Sequence, residues 1–216
     1  MGTLDRKERE KEQRLNEILD AAERVFIANG YHNCTMDQIA EEAELSKGTL
    51  YLYFKSKEAI FVGLDWRGTK ILRKRFQEAY DTVEIGRQKV IEIGRSYFQF
   101  VADYPLYFQM MNHAVGRPSD ITQSLEEEAV YQKCQEEEGA TLAVLADAIS
   151  CGIEDGSVAD DVEPLQTAIL LWAMSNGVIQ LHHNHGEDIK NWFEIDPSFL
   201  FDKFFAFIDG AIAPKP

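Results

Sequence analysis

Apolar residues recur at helical spacing along nearly the whole chain. Leu15, Ile18, Leu19, Ala22, Val25 and Phe26 form one stripe, with Glu17, Asp20, Glu23 and Arg24 between them, and Asn29-Gly30 stops that helix. Thr35 caps a second helix whose inner positions are Met36, Ile39, Ala40 and Ala43, and Gln38 three residues on completes a capping box. Glu44-Leu45 makes a short turn. Ser46 caps a third helix, with Leu50 and Phe54 facing inward, and Ser56 caps a fourth that runs from about Lys57 toward Tyr80. Longer helices follow, divided by turn signals near Gly86, at Asp103-Tyr104-Pro105, at Gly116-Arg117-Pro118-Ser119, at Asp155-Gly156, at Glu163-Pro164 and at Asp196-Pro197. Residues 120–154 read as one long helical stretch, and His182 to Glu194 as a loop with some helical character. No strand alternation, internal repeat or low-complexity segment is present.

The pattern predicts an all-α protein in two parts. An N-terminal three-helix helix-turn-helix domain occupies residues 1–56, and a C-terminal helical ligand-binding and dimerisation domain occupies 57–216. Charge sharpens this division. The 216 residues carry a net charge of −15, but residues 1–75 are +1 and residues 76–216 are −16. The N-terminal third can therefore gather its Lys and Arg on one face, while the acidic body weakens non-specific binding to DNA. Three widely spaced cysteines, Cys34, Cys134 and Cys151, fit a reducing compartment rather than a disulfide framework or a zinc site. The N-terminus has no apolar signal region. The longest uncharged run, Leu165 to Gly186, is broken by polar residues, so no membrane segment is expected and the protein reads as cytoplasmic.

Two helices joined by a tight turn form the motif that places a short helix in the major groove of double-stranded DNA. Its N-terminal end must be small or polar, and here it is Ser46, Lys47, Gly48 and Thr49. Lys47 can donate to a guanine edge or a phosphate, Gly48 admits close backbone approach, and Thr49 offers a hydroxyl and a methyl. Tyr51, Tyr53, Lys55 and Lys57 supply phosphate donors, and Thr35 opens a helix that can hold another phosphate. Arg6, Lys7, Arg9, Lys11 and Arg14 alternate with acidic residues, which suits a minor-groove arm and a solvated helical extension equally.

Residues 15–64 resemble the DNA-binding domain of the TetR family of bacterial regulators. The resemblance rests on Ile18-Leu19-Asp20-Ala21-Ala22, on Phe26-Ile27-Ala28-Asn29-Gly30-Tyr31, on Thr35-Met36-Asp37-Gln38-Ile39-Ala40 and on the run from Ser46 to Glu58. It implies a homodimer on a palindromic operator, released when the C-terminal domain binds a small molecule. It also implies base contacts from the third helix and phosphate contacts from Thr35, Tyr51, Tyr53 and Lys57. Repression is the family's usual mode, and the sequence leaves activation open. Glu44 stands where the family commonly has Gly, so it must accept the turn's geometry at a cost if φ is positive.

For the effector, helices rich in Phe, Tyr, Met and Trp point to a largely apolar molecule, aromatic or long-chain, with Tyr97, Phe100, Phe108, Met111, Tyr131, Trp172 and Asn176 as candidate contacts. Polar members such as Tyr97, His113, Asn176 and Gln180 on apolar helices would orient it. Few cations occur between Phe76 and Gln180, which disfavours a small polyanion. The apolar helices near Glu163–Leu181 and Pro197–Ala211 are expected to form the dimer interface, with Phe204 and Ile179 as members. His182, His183 and His185 match no standard ligand spacing, so no metal and no cofactor are expected. No catalytic motif is present. The alternative is a helical-bundle enzyme, or a small-molecule-binding protein without sequence-specific DNA binding.

Overall fold

The computed structural model describes residues 3–115 and 129–214, with side chains from 6 to 112 and from 131 to 214. Among these residues there are nine α-helices and no strand: α1 (Thr3–Asn29), α2 (Met36–Glu42), α3 (Lys47–Tyr53), α4 (Lys57–Asp81), α5 (Gly86–Asp103), α6 (Pro105–Val115), α7 (Ala129–Glu154), α8 (Pro164–Phe193) and α9 (Phe199–Ile212). None of these helices is long and apolar enough to cross a membrane. The expected break at Gly116–Ser119, and the first part of the helical stretch expected from residue 120, lie outside the described residues.

The chain divides into two compact units. The first draws on Met1–Thr69 and Leu106–Glu136. Its core is built by the inner stripe of α1 (Ile18, Leu19, Ala22, Val25, Phe26) against Ile39, Leu50, Phe54, Ile60 and Leu64, all buried. Each large aliphatic side chain so buried contributes roughly 1.5–3 kcal/mol. A polar network joins three of the unit's helices. Arg67 on α4 donates to Asp20 Oδ1 at 2.6 Å and to the Asn16 carbonyl and side-chain oxygens, both at 3.1 Å. Tyr107 on α6 donates to Glu23 Oε2 at 2.7 Å. Burial and the Glu23 carboxylate push the Tyr107 hydroxyl far above the usual phenol range, so it stays a donor. Its ring lies against Gly68, where an added Cβ would come within 2.8 Å of the Tyr107 Cβ. Asp65, fully buried, accepts from the Cys134 thiol at 3.6 Å.

The second unit draws on Lys70–Pro105 and Glu137–Pro216. On α5 the buried positions are Gly86, Lys89, Val90, Ile93, Tyr97 and Phe100, a helical stripe. The helix starts without a capping side chain of its own. Instead Asp155 Oδ2 accepts from the Gly86 N–H at 2.7 Å and Ser157 Oγ from the Arg87 N–H at 3.0 Å. Gly86 and Gly152 meet backbone to backbone: a Cβ on Gly86 would lie 2.0 Å from the Gly152 nitrogen. The Ile153–Ser157 segment thus acts as a cap for α5. Helix α9 packs on α5 and α8, with Phe98 at the centre of rings from Phe201, Phe204 and Phe205.

Two sequence expectations are corrected, and one left open is narrowed. Helix α1 begins at Thr3, so the charged N-terminal segment takes the form of the helical extension, one of its two readings. Arg6–Glu10 and Arg14–Glu17 pair across single turns of it. Residues His182 to Phe193 are helical, not a loop, because the inner stripe of α8 continues through Ile179, His182, Gly186 and Ile189. His182 stacks on Phe201 at 4.6 Å and Gly186 leaves room for Pro197, so neither reads as apolar although both face inward. Phe204 and Ile179 belong to the core of the single chain and leave no surface for an interface. The exposed apolar positions of α8 and α9 include instead Leu165, Ile169, Leu170, Trp172, Leu181, Trp192 and Phe207.

Candidate nucleic-acid interface

Helix α2 opens on the capping box read from sequence. The Gln38 N–H donates to Thr35 Oγ1 at 3.3 Å and the Thr35 N–H to Gln38 Oε1 at 2.8 Å. Its C-terminus closes through Leu45 N–H to the Ala40 carbonyl (2.8 Å) and Glu44 N–H to the Glu41 carbonyl (3.0 Å). This paired pattern demands a left-handed residue between them, normally Gly. Glu44 takes that place with φ +55°. The turn then delivers Ser46, whose Oγ accepts from the Thr49 N–H at 3.1 Å and lies 2.8 Å from the Thr49 hydroxyl. With Leu50 and Phe54 buried, α3 turns Lys47, Gly48, Tyr51 and Leu52 outward.

The cations of this face are held in place. Lys47 Nζ lies 2.7 Å from Asp37 on α2, which raises its already high pKa through that hydrogen bond and keeps it charged. Lys57, at the start of α4, donates to the Tyr31 carbonyl at 2.7 Å and the Cys34 carbonyl at 3.0 Å, and its ammonium sits 4.4 Å from the centre of the Tyr31 ring. Two of its three donors thus close the α1–α2 connection, leaving one for a phosphate. Lys55 reaches back to the Tyr51 carbonyl at 2.9 Å. Thr35, Ser46, Lys47, Gly48 and Tyr51 all lie exposed, and Thr49, Tyr53 and Lys57 are half-buried.

Of the candidate effector contacts, Tyr97, Phe100, Trp172 and Asn176 fall in the second unit and Phe108, Met111 and Tyr131 in the first. Three of them meet. The buried Tyr97 hydroxyl donates to Asn176 Oδ1 at 2.5 Å and accepts from the indole N–H of Trp172, one turn before Asn176 on α8. Burial drives that hydroxyl well above the phenol range. Phe100 is core, stacked near Tyr104. Tyr131 is buried and bonded by Gln135. The side chain of His113 lies outside the described residues. A surface cleft of about 360 Å³ in the second unit, lined by Ile153, Val158, Asp160, Asp161 and Pro214 among others, shares no residue with the candidate set. His182, His183 and His185 do not converge as a metal-ligand set among the described residues.

Residues 18–64 match the family model described as bacterial regulatory proteins, tetR family. The chain belongs to the tetR family. The fatty acid metabolism regulator protein of Bacillus subtilis (strain 168) is 28% identical over 156 residues, 72% of this chain and 76% of that protein. The HTH-type transcriptional activator FasR of Mycolicibacterium smegmatis is 32% identical over 91 residues, 42% of each chain. The solved structure of the transcriptional regulator FadR from Bacillus subtilis, in complex with stearoyl-CoA, has the same fold: TM-score 0.67 at 21% identity, covering 91% of this chain and 98% of that one. This tetR-family member is a DNA-binding transcriptional regulator, all-helical, with its helix-turn-helix at the N-terminus.

Two features of this tetR-family interface escape a reading by motif. Lys57 has a structural task at the α1–α2 connection, which its place in the sequence does not signal. Leu52 is 76% exposed on the outer side of α3. Its position, one turn beyond Gly48 and out of phase with Leu50 and Phe54, is the signal that could have found it.

Proposed function

We propose that this regulator is a ligand-released repressor, acting in the cytoplasm as a homodimer on a palindromic operator, with a long-chain apolar effector. Residues 1–56 serve as the DNA-reading part and 57–216 as the effector-binding and dimerising part. The observation that carries the effector reading is the Tyr97–Trp172–Asn176 cluster. A buried hydroxyl, an indole N–H and a carboxamide meet among apolar side chains, as a site for an apolar molecule with a single polar head needs. The likeness to a fatty acid metabolism regulator, and to the FadR fold solved with stearoyl-CoA, supports a long acyl chain as that molecule. The exposed apolar positions of α8 and α9 support dimerisation, because side chains such as Phe207 (62% exposed) are costly to leave in water.

The test begins with operator selected from a random DNA pool and bound by the full chain. Fluorescence anisotropy then follows release by stearoyl-CoA, stearate, a short-chain acyl-CoA and small polyanions. Long-chain compounds should release the operator, and Tyr97→Phe should weaken that release while leaving DNA affinity intact. Release by small charged anions alone would overturn the effector reading. A promoter fusion whose transcription falls on deletion of the regulator would overturn repression.

A further inference from the structure

We propose that Leu52 is a specificity-determining residue that reads the 5-methyl group of a thymine in the operator. The inference rests on the proposal that α3 enters the major groove. Among the described residues Leu52 is the most exposed large apolar side chain, on a seven-residue helix whose other outward positions are Lys47, Gly48 and Tyr51. Single exposed leucines are common and need no function. This one has a particular setting. Side chains on a helix lean toward its N-terminus, so Leu52 lies over the turn that contains Gly48. Gly48 leaves that turn bare: a Cβ there would find only Ser46 Oγ, at 3.9 Å. Glycine inside a helix works against that helix, and an exposed leucine gains nothing from burial in the folded chain. Together they make an apolar notch in the middle of an otherwise polar face. The polar neighbours are positioned around it, with Lys47 tethered to Asp37 and Lys55 to the Tyr51 carbonyl. On the major-groove edges of the bases the apolar group offered is the thymine methyl. A leucine over a glycine notch, flanked by fixed cations, fits that methyl better than it fits a phosphate or a base-edge donor.

The experiment uses the full chain and its selected operator, with each thymine replaced singly by deoxyuridine, which removes the methyl and nothing else. For the wild type, one replacement per half-site should weaken binding about fourfold, the change expected for uncovering one methyl-sized group, and about fifteenfold when made in both half-sites. Leu52→Ala should bind thymine and deoxyuridine operators alike, and Leu52→Met, which keeps an apolar tip, should retain part of the difference. Lys47→Ala should bind more weakly overall yet keep the methyl sensitivity. Selective binding by a wild type indifferent to every replacement would overturn the proposal while leaving the DNA reading in place. So would a Leu52→Ala protein that keeps the full methyl sensitivity. A wild type that selects no sequence at all would overturn the DNA reading, and this proposal with it.

Discussion

Replacing Glu44 by glycine should stabilise the protein and tighten its hold on DNA, by two separable causes. Glu44 sits at φ +55° between two hydrogen bonds that close α2, so its Cβ bears the steric cost of the left-handed region. That cost is about 1–2 kcal/mol for a residue with a side chain. Glycine removes it but adds freedom to the unfolded chain, worth about 0.4–1 kcal/mol in the other direction. The balance is a gain of roughly 0.5–1 kcal/mol, or about 1–4 °C in Tm for a chain of this size. The substitution also removes a negative charge beside the DNA-facing helix, which should raise affinity for all sequences, most at low salt. Glu44→Ala separates the two causes, since it removes the charge and keeps the Cβ. Thermal denaturation at matched protein concentration and DNA titrations across a salt series should be run on both variants. Glu44→Gly should melt above wild type and Glu44→Ala should not, while the two should bind DNA alike. Equal melting temperatures for the two variants would show that backbone strain at Glu44 contributes nothing.

Gly86→Ala should cost about 3 kcal/mol or more, because the new Cβ meets backbone of Gly152 that cannot move aside; Gly139→Ala, on an exposed helical face with nothing within 4 Å, should instead gain about 0.5–1 kcal/mol, and circular dichroism melts that rank the two the other way contradict the packing described. Tyr107→Phe should lower stability by about 1 kcal/mol in chemical denaturation through loss of the Glu23 hydrogen bond, and an unchanged midpoint would show that bond to be idle. The Gly86 N–H and then Ser157 hold the Asp155 carboxyl below its ordinary range, so its contribution is present above about pH 4 and fades as pH falls through the lowered value. The Tm difference between wild type and Asp155→Asn should therefore shrink on acidification, and a constant difference down to pH 2.5 counts against the cap. Ile169→Asp and Phe207→Asp should yield folded monomers in sedimentation with little operator binding, and intact dimers from both would place the interface elsewhere.

The helix-turn-helix at the N-terminus is legible in the sequence because short-range rules determine it. A capping box needs only Thr35 and Gln38, a three-residue spacing, and the inward placement of Leu50 and Phe54 follows from one helical turn. Glu44 could be marked for strain only through the family resemblance, because it stands where the family commonly has Gly; the structure gives it φ +55°. The second half of α8 is harder to read. His182 and Gly186 occupy inward positions only because Phe201 and Pro197, from later in the chain, supply a ring and a corner for them to meet. Periodicity counted on apolar residues cannot register a histidine chosen for stacking or a glycine chosen for clearance. The structural task of Lys57 is missed for a related reason. Its acceptors are main-chain carbonyls, which every residue has, so nothing in the sequence distinguishes Tyr31 and Cys34 as its partners. The Tyr97–Trp172–Asn176 cluster was visible as residue types, but its assembly depends on how α5 and α8 are phased.

The first compact unit is stitched from two separated stretches of chain, and that has a consequence for its biogenesis. Residues up to Thr69 supply the helix-turn-helix, but Tyr107, Met110, Tyr131 and Cys134, which follow α5 in the sequence, complete the same unit. At roughly 5–20 residues per second, the ribosome makes residue 134 about 3–13 seconds after residue 69. During that interval Asp65 and Gly68 have lost neither their water nor their freedom, and the Glu23 carboxylate lacks its tyrosine. Helix α3 is thus among the first parts synthesised, yet the unit that holds it can finish folding only when more than half of the chain has been made.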